Sequence, residues 1–304
     1  MTNPRDTATR FAAAQHVKSI AVADILTSDQ LRAGFQFDGA RVPLINQQRG
    51  IFKPAAMDYL LSVRTVFPRS GARVWYDDQR VVNEQVARGE ELIDYAFMGN
   101  NPDAADNRWL RQAHEAQVPI LYFLGVAPGR YMVIWPTFIA EWVPSELKVR
   151  LAFSQTAEQS LPGSAERRYA SRTVQQRLHQ ASFREAVLMA YGGRCALTGL
   201  PEPRLIDAAH IIVDGDEALG QPIVPNGLPL SKIHHAAFDA NLIGIDPDYK
   251  VHISEALLSI NDGPMFEFGV KALAGRSIRP PLRPADNPNR ERLALRFEAF
   301  RRAN

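Results

Sequence analysis

The chain has 304 residues, a net charge of +2 and 46% hydrophobic residues. This length favours two domains over one, and the near-neutral charge leaves any contact with nucleic acid to local basic clusters. The single cysteine, Cys195, excludes an intrachain disulfide and a Cys-rich zinc site, and it favours a cytoplasmic protein. The N-terminal segment lacks the apolar run of a signal peptide, and no apolar stretch approaches the roughly 20 residues that span a bilayer.

The first half of the chain predicts mixed elements around a β-rich core. In chain order, the predicted elements are a mostly helical segment at residues 19–35, a short helix at 107–117, and strands at 119–125, 131–135 and 137–143. Pro128-Gly129 between the first two strands is typical of a hairpin turn.

Residues 155–165 are poor in large apolar side chains, and their Leu161-Pro162-Gly163-Ser164 sequence predicts a linker. The basic helical stretch that follows is opposed only by Glu166; its arginines are Arg167, Arg168, Arg172, Arg177 and Arg184. Both a solvated helix face and a phosphate-contacting helix fit such a stretch. The predicted organisation is a first domain at residues 1–155, a linker and basic helix at 156–178, and a second domain at 179–304.

The second domain carries an ordered set of polar residues. Ile206-Asp207-Ala208-Ala209-His210 predicts a strand, Pro225-Asn226-Gly227 a turn, and the segment from Ser231 to Asp239 a capped helix. His235 and Asp239 are one helical turn apart and share a face.

This set suits the hydrolysis of a phosphodiester. A strand histidine, His210, can take a proton from the attacking water, and Asn226 can fix its imidazole by bonding one ring nitrogen. A divalent cation held by the facing helix can stabilise charge on the phosphate and the leaving oxygen. A lone histidine or Asn-Gly turn is usually structural, so the prediction depends on the ordered set.

The set resembles the HNH nuclease family, with a ββα-metal fold. Similarity extends through the flanking segments Ser182-Phe183-Arg184-Glu185 and Phe238-Asp239-Ala240-Asn241, and it covers about residues 177–254. The resemblance implies that His210 is the general base, that Asn226 positions it, and that His235 is a metal ligand, with Asp239 as a second ligand. The implied cofactor is Mg²⁺ or Mn²⁺, with Co²⁺ and Ni²⁺ as further candidates.

Two positions depart from the family pattern. Ala209 stands where many members carry a second metal ligand before the base. Asp207 could replace that ligand, but strand alternation puts it on the face opposite His210, so this role requires a bulge; the alternative is a structural hydrogen bond. Thr198 stands where a second zinc-binding cysteine would follow Cys195, so no structural zinc is expected. Cys195 is then interpreted as a small buried hydrophobe.

The first domain resembles the SRA domain of the PUA-like superfamily, which binds modified cytosine. The resemblance spans about residues 50–143 and includes the Asp94-Tyr95-Ala96-Phe97 strand. It implies that Phe97 stacks on an extruded base, with Tyr76, Asp77 and Asp78 on the other wall of the pocket. The alternative is that Phe97 belongs to the core and that residues 76–78 form a polar loop.

The predicted fold class is α+β, with an N-terminal β-rich SRA/PUA-like domain and a C-terminal HNH domain with flanking helices. The corresponding function is a modification-dependent endonuclease that cuts double-stranded DNA containing methylated or hydroxymethylated cytosine, acting as a homodimer and without a membrane partner. The alternatives are an HNH nuclease directed by DNA sequence or by a partner, and a DNA-binding protein with a degenerate nuclease domain.

Overall fold

The computed structural model describes residues 3–67, 82, 84–153, 165–216, 218–260 and 263–304. It divides the chain into two compact units, Met1–Ala181 and Ser182–Asn304. Helices and strands occur in both units, which confirms the α+β class predicted from the sequence. Among the described helices, none has the length and apolar character needed to cross a membrane.

The first unit is built on a mixed sheet. Its described strands are β1 (Ile25–Thr27), β2 (Phe35–Phe37), β3 (Ala40–Val42), β4 (Ile51–Phe52), β5 (Ser62–Thr65), β6 (Ile93–Ala96), β7 (Ile120–Ala127), β8 (Arg130–Val143) and β9 (Lys148–Phe153). Seven of them form one sheet in the order β4-β5-β7-β8-β9-β6, with β1 paired to β8. Its helices are α1 (Pro4–Ile20), α2 (Ser28–Ala33), α3 (Ala105–Ala116) and part of α4 (Ala165–Ala190). The strand predicted at 137–143 is the second half of β8.

Both faces of this sheet are buried, as the side chains of strand β7 show. Ile120, Tyr122 and Leu124 pack into one apolar cluster, which also contains side chains from α3 and α4. Leu121 and Phe123 pack into a second cluster with side chains of α1 and α2. Because successive strand residues point to opposite faces, a continuous apolar run is the pattern that a sheet covered on both sides requires.

The prediction of a mostly helical segment at residues 19–35 is wrong for most of that segment. Helix α1 begins at Pro4, where Asn3 caps it, and ends at Ile20. Ala23 and Asp24 then adopt positive φ angles of 49° and 63°, which interrupt a right-handed helix. Helix α2 starts afresh after Thr27, whose side chain forms a capping box with Gln30.

A buried ion pair attaches α1 to the sheet. Arg10 donates to Asp6 at 2.7 Å and to the carbonyls of Leu60 and Pro119 at 2.6 and 3.0 Å. The second oxygen of Asp6 accepts from the backbone N–H groups of residues 58 and 59. Both charged side chains are 2% exposed, so removing one partner leaves the other as an uncompensated buried charge.

Replacing Arg10 with methionine should therefore destabilise the first unit by about 3 kcal/mol, at the lower end of the cost of breaking a buried pair. Urea denaturation followed by tryptophan fluorescence measures this unit, because all four tryptophans precede residue 182. The matched control is Arg5→Met. The Arg5–Asp38 pair is 65% and 63% exposed, and its loss should cost less than about 1 kcal/mol. Equal losses in the two variants would contradict the prediction.

Helix α4 lies where the sequence predicts the end of a connector. Val174, Leu178 and Ala181 recur on one face of this helix and are buried in the core of the first unit. The structural division therefore lies after Ala181, instead of at residues 155 and 179. Residues 154–164, which include most of the predicted linker, lie outside the described part of the chain.

The second unit contains the predicted strand–turn–strand–helix segment. Strands β10 (Ile206–His210) and β11 (Gly227–Ser231) form an antiparallel pair, and helix α5 (Lys232–Asp239) follows. Strands β12 (Ile243–Ile245) and β13 (Val251–Ile253) form a second pair. The remaining described helices are α6 (Glu255–Leu258), α7 (Gly263–Gly269) and α8 (Arg290–Ala303). Leu228, Leu230 and Phe238 are among the side chains that form its core.

Candidate active site

His210 ends β10 and pairs with Gly227 in the register of β11. Its imidazole stacks on Phe183, with ring centroids 4.0 Å apart and planes 15° apart. Its Nε2 atom is buried and has no hydrogen-bond partner among the described residues. Burial lowers the pKa of His210, and His235 lowers it further, while Asp214 and Asp239 raise it. The lowered pKa favours the neutral imidazole, which is the form that can accept a proton.

Asn226 holds the backbone and not the imidazole, which corrects the sequence prediction. Its side-chain oxygen accepts from the N–H of Ile212 at 3.0 Å, and its amide donates to the carbonyls of Ile212 and Gln221 at 3.0 and 3.1 Å. No hydrogen bond joins its side chain to His210 in the described part of the chain. Asn226 is fully buried. Its side chain forms the hydrogen bonds that the backbone of a neighbouring strand would otherwise form with the loop after His210.

Helix α5 presents His235 beside two carboxylates. Ser231 caps the helix by accepting from the N–H of His234, as predicted from the sequence. The Nε2 atom of His235 lies 3.3 Å from an oxygen of Asp239, one turn later. Its Nδ1 atom lies 3.9 Å from an oxygen of Asp207 on β10. The structure thus brings Asp207, His235 and Asp239 together.

Asp207 lies near His235 without a bulge, so its proximity to this histidine does not depend on the bulge that strand alternation predicts for a ligand role. The pairing of β10 with β11 is regular from Ile206 to His210. Asp207 shares a strand face with Ala209, the position at which many HNH proteins carry a ligand. Helix α5 contacts this strand closely enough for its histidine to lie near Asp207. Asp207 therefore lies near His235, although it is on the strand face opposite His210.

The side chains of Asp207, His235 and Asp239 are of types that bind divalent cations, but their arrangement fits a cation less well. Imidazole nitrogen and carboxylate oxygen are ordinary ligands of divalent ions. However, the two carboxylates lie beside opposite nitrogens of one imidazole. An ion binds only one ring nitrogen, so only one of the two carboxylates lies beside the nitrogen that would bind it. Consistent with this, the described residues contain no group of three His, Cys, Asp or Glu side chains arranged to hold a metal.

Cys195 lies in a polar environment that the sequence does not predict. It is fully buried, and its Sγ accepts from the N–H of Ser231 at 3.4 Å. Burial alone would raise the pKa of the thiol, but hydrogen bonds from His234, Thr198 and Ser231 lower the pKa to about 6. The interpretation as a simple hydrophobe is therefore incomplete.

His234 anchors the start of α5. Its Nε2 donates to the carbonyl of Gly269 at 2.7 Å, and its Nδ1 lies 2.6 Å from the Ser231 hydroxyl. Both nitrogens are thus occupied by structural bonds, which leaves His235 as the histidine of this helix for chemistry.

The first unit contains a cavity of about 590 Å³. Phe97 lines it and is 7% exposed. The Phe97 ring stacks on Trp142 at 4.4 Å and belongs to the main core cluster, so Phe97 is a core residue that also lines the cavity. Polar lining comes from Gln48, Arg64, Thr65, Asn100 and Glu146. Tyr76, Asp77 and Asp78 lie outside the described residues.

Two residues near His210 were not predicted to contribute to the site. The sequence places Phe183 only in a segment that flanks the motif, and its stacking depends on how α4 packs. Asp214 acts electrostatically on His210; its position four residues after His210 was the only available signal.

Comparison with known protein families identifies part of the second unit. Residues 195–246 match the family model described as "HNH endonuclease". The second unit therefore contains an HNH endonuclease domain, which confirms the assignment made from the sequence. A solved structure described as "Modification dependent TagI restriction endonuclease" is similar at 14% identity and a TM-score of 0.31, over 83% of this chain and 85% of that chain. None of the curated proteins compared with the chain matches it.

Proposed function

We propose that the protein is a metal-dependent DNA endonuclease directed to its target by a modified base. The observation that carries the proposal is the second unit's site. A buried, unpartnered imidazole nitrogen of His210 lies in the same strand–turn–strand–helix segment as His235 and its two carboxylates.

His210 is the general base in this proposal. The attacking water loses its proton to the unprotonated nitrogen of the His210 imidazole as its oxygen bonds to the phosphorus of the scissile phosphodiester. The bond from phosphorus to the leaving sugar oxygen breaks, and that oxygen takes up a proton from solvent. Asn226 keeps His210 in place by fixing the following loop through Ile212.

Asp207, His235 and Asp239 are the residues that would hold Mg²⁺ or Mn²⁺, with Co²⁺ and Ni²⁺ as further candidates. When bound, the ion stabilises charge on the phosphate and on the leaving oxygen. Because the carboxylates lie beside opposite nitrogens of His235, we propose that one ligates the ion and the other orients the ring. Carboxylates commonly orient ligating histidines in this way.

The cavity of the first unit is the proposed reader of the modified base. Its volume of about 590 Å³ falls within the usual range for a small-molecule pocket. A flipped base is recognised by stacking on its face and by hydrogen bonds to its edge. Phe97 supplies an aromatic wall, while Gln48 and Glu146 supply polar groups. The proposed ligand is a methylated or hydroxymethylated cytosine, flipped out of double-stranded DNA.

One HNH site cuts one strand, so a double-strand break requires two copies, most simply a homodimer. The reduced state of the single Cys195 fits action in the cytoplasm. Two other functions are compatible with an HNH domain in the second unit. One is a nuclease directed by DNA sequence or by a partner, and the other is a DNA-binding protein whose nuclease domain is inactive. The unfilled ligand position at Ala209 is the feature that favours the last one.

Cleavage should depend on the modification of the DNA. Plasmids with unmodified, 5-methylated or 5-hydroxymethylated cytosine, incubated with the full chain and Mg²⁺, Mn²⁺, Co²⁺ or Ni²⁺, should be cut at least about tenfold faster when modified. A tenfold preference needs only about 1.4 kcal/mol of differential binding, which is within the range that a single good base contact supplies. Equal cutting of all plasmids would favour the nuclease with other targeting.

Binding separates recognition from cleavage. The full chain with His210→Ala should bind modified duplexes more tightly than unmodified ones, because His210 does not line the cavity of the first unit. Glu146→Gln alters the polar edge of that cavity without changing side-chain size. Loss of the preference in this variant, with cleavage of DNA retained, would support the cavity as the reader. An unchanged preference would indicate that the modified base is recognised outside this cavity.

A further inference from the structure

The structure leaves open what holds the imidazole of His210. Asn226 bonds to the backbone of the following loop and not to the ring. The Nε2 atom of His210 has no partner among the described residues. Hydrogen bonds ordinarily set the orientation of a catalytic histidine, so another contact must restrict this ring.

That contact is Phe183. The two rings are nearly parallel, 15° apart, at a centroid distance of 4.0 Å. Phe183 is 4% exposed, so the ring against which His210 lies is itself fixed by packing. Stacking holds the imidazole by its face and occupies neither ring nitrogen with a hydrogen bond.

Gly227 makes room for this stack. It is the cross-strand neighbour of His210, and it has no side chain to cover the strand pair. A Cβ at Gly227 would lie 2.8 Å from Cζ of Phe183 and 2.4 Å from Cγ2 of Val187. A glycine within a strand often marks such a close approach, and here the aromatic ring occupies the space that a side chain would take.

We propose that Phe183 is a positioning residue for His210, setting the plane of the imidazole and thereby the direction of its proton-accepting lone pair. This inference rests on the proposed function, in which His210 is the general base. Proton transfer requires the nitrogen lone pair, which lies in the ring plane, to point at the water. Small misplacements of reacting groups can lower rates up to a hundredfold.

The test compares two leucine variants of buried phenylalanines in the second unit. Phe183→Leu removes the planar ring next to His210. Phe300→Leu is the control, because Phe300 is also buried and packs against Gly244 and Phe297. Both variants should lower the Tm. Only Phe183→Leu should lower the single-turnover cleavage rate, by about tenfold at saturating DNA and metal, within the range that misplacement allows, with DNA affinity unchanged.

Proton NMR of the full chain tests the stack without relying on activity or on a variant that may be unstable. The carbon-bound ring protons of His210, assigned by their loss in His210→Gln, should be shifted upfield in the wild type by the Phe183 ring, and the shift should be lost in Phe183→Leu. Ordinary shifts in the wild type would overturn the inference, as would full cleavage activity of Phe183→Leu. Absence of DNA cleavage by the wild type with every metal would instead overturn the proposed function.

Discussion

Replacing His210 with alanine should lower the rate of DNA cleavage by about a thousandfold, while the affinity for DNA stays nearly unchanged. General-base catalysis by a positioned side chain contributes about 10²- to 10⁴-fold to a rate. Burial lowers the pKa of His210, which favours the neutral imidazole, the form that can accept the proton of the water. Single-turnover cleavage of labelled duplex at saturating metal measures the chemical step, and a binding titration measures affinity separately.

His252 provides the matched control. It also lies in the second unit, but its Nε2 bonds to Asp246 at 2.8 Å and its ring packs on Phe297. His252→Ala should therefore cut DNA at a rate close to that of the wild type. If His210→Ala retained more than about a tenth of the wild-type rate, a side chain contributing so little would not meet the range for a general base. Cleavage lost in His210→Ala alone would exclude an inactive nuclease domain.

The order of elements around His210 could be predicted from the sequence because it depends on local rules. Ser231 has the residue type and position of a helix cap, and the cap is present. His235 and Asp239 are spaced by one turn, and they do lie together. The hairpin around Gly129 follows from the need for a positive φ, which is 71° here.

Other features depend on how distant elements pack, and local patterns do not contain that information. The stack of Phe183 on His210 needs α4 to meet the strand pair at Gly227, at which the sequence shows only an Asn-Gly turn. The sequence does not show which polar groups the amide of Asn226 bonds to, and in the structure they are backbone groups of Ile212 and Gln221. Strand alternation described the faces of β10 correctly but not the position of the helix beside it.

Asp207→Asn should raise the Mn²⁺ concentration needed for half-maximal cleavage by about 100-fold, and Asp239→Asn by about 10-fold. The two values bound the usual effect of disturbing the residues around a metal-ligating histidine. The separation of 3.9 Å between Asp207 and Nδ1 of His235 is too long for a hydrogen bond. Asp239, 3.3 Å from Nε2, is placed to orient the ring.

The position of Asp207 on the strand supports this difference between the carboxylates. Asp207 shares a strand face with Ala209, where HNH proteins commonly carry the second ligand, so its carboxylate can take over that function. Asparagine keeps the size of aspartate and removes its charge, so both variants should unfold at nearly the wild-type temperature. Metal titrations of the cleavage rate, with metal binding followed by calorimetry in the absence of DNA, distinguish the two carboxylates. A larger shift in Asp239→Asn would reverse their assignment and place the ion beside Nε2 of His235. Equal activity of both variants and the wild type at low Mn²⁺ would remove both carboxylates from the site.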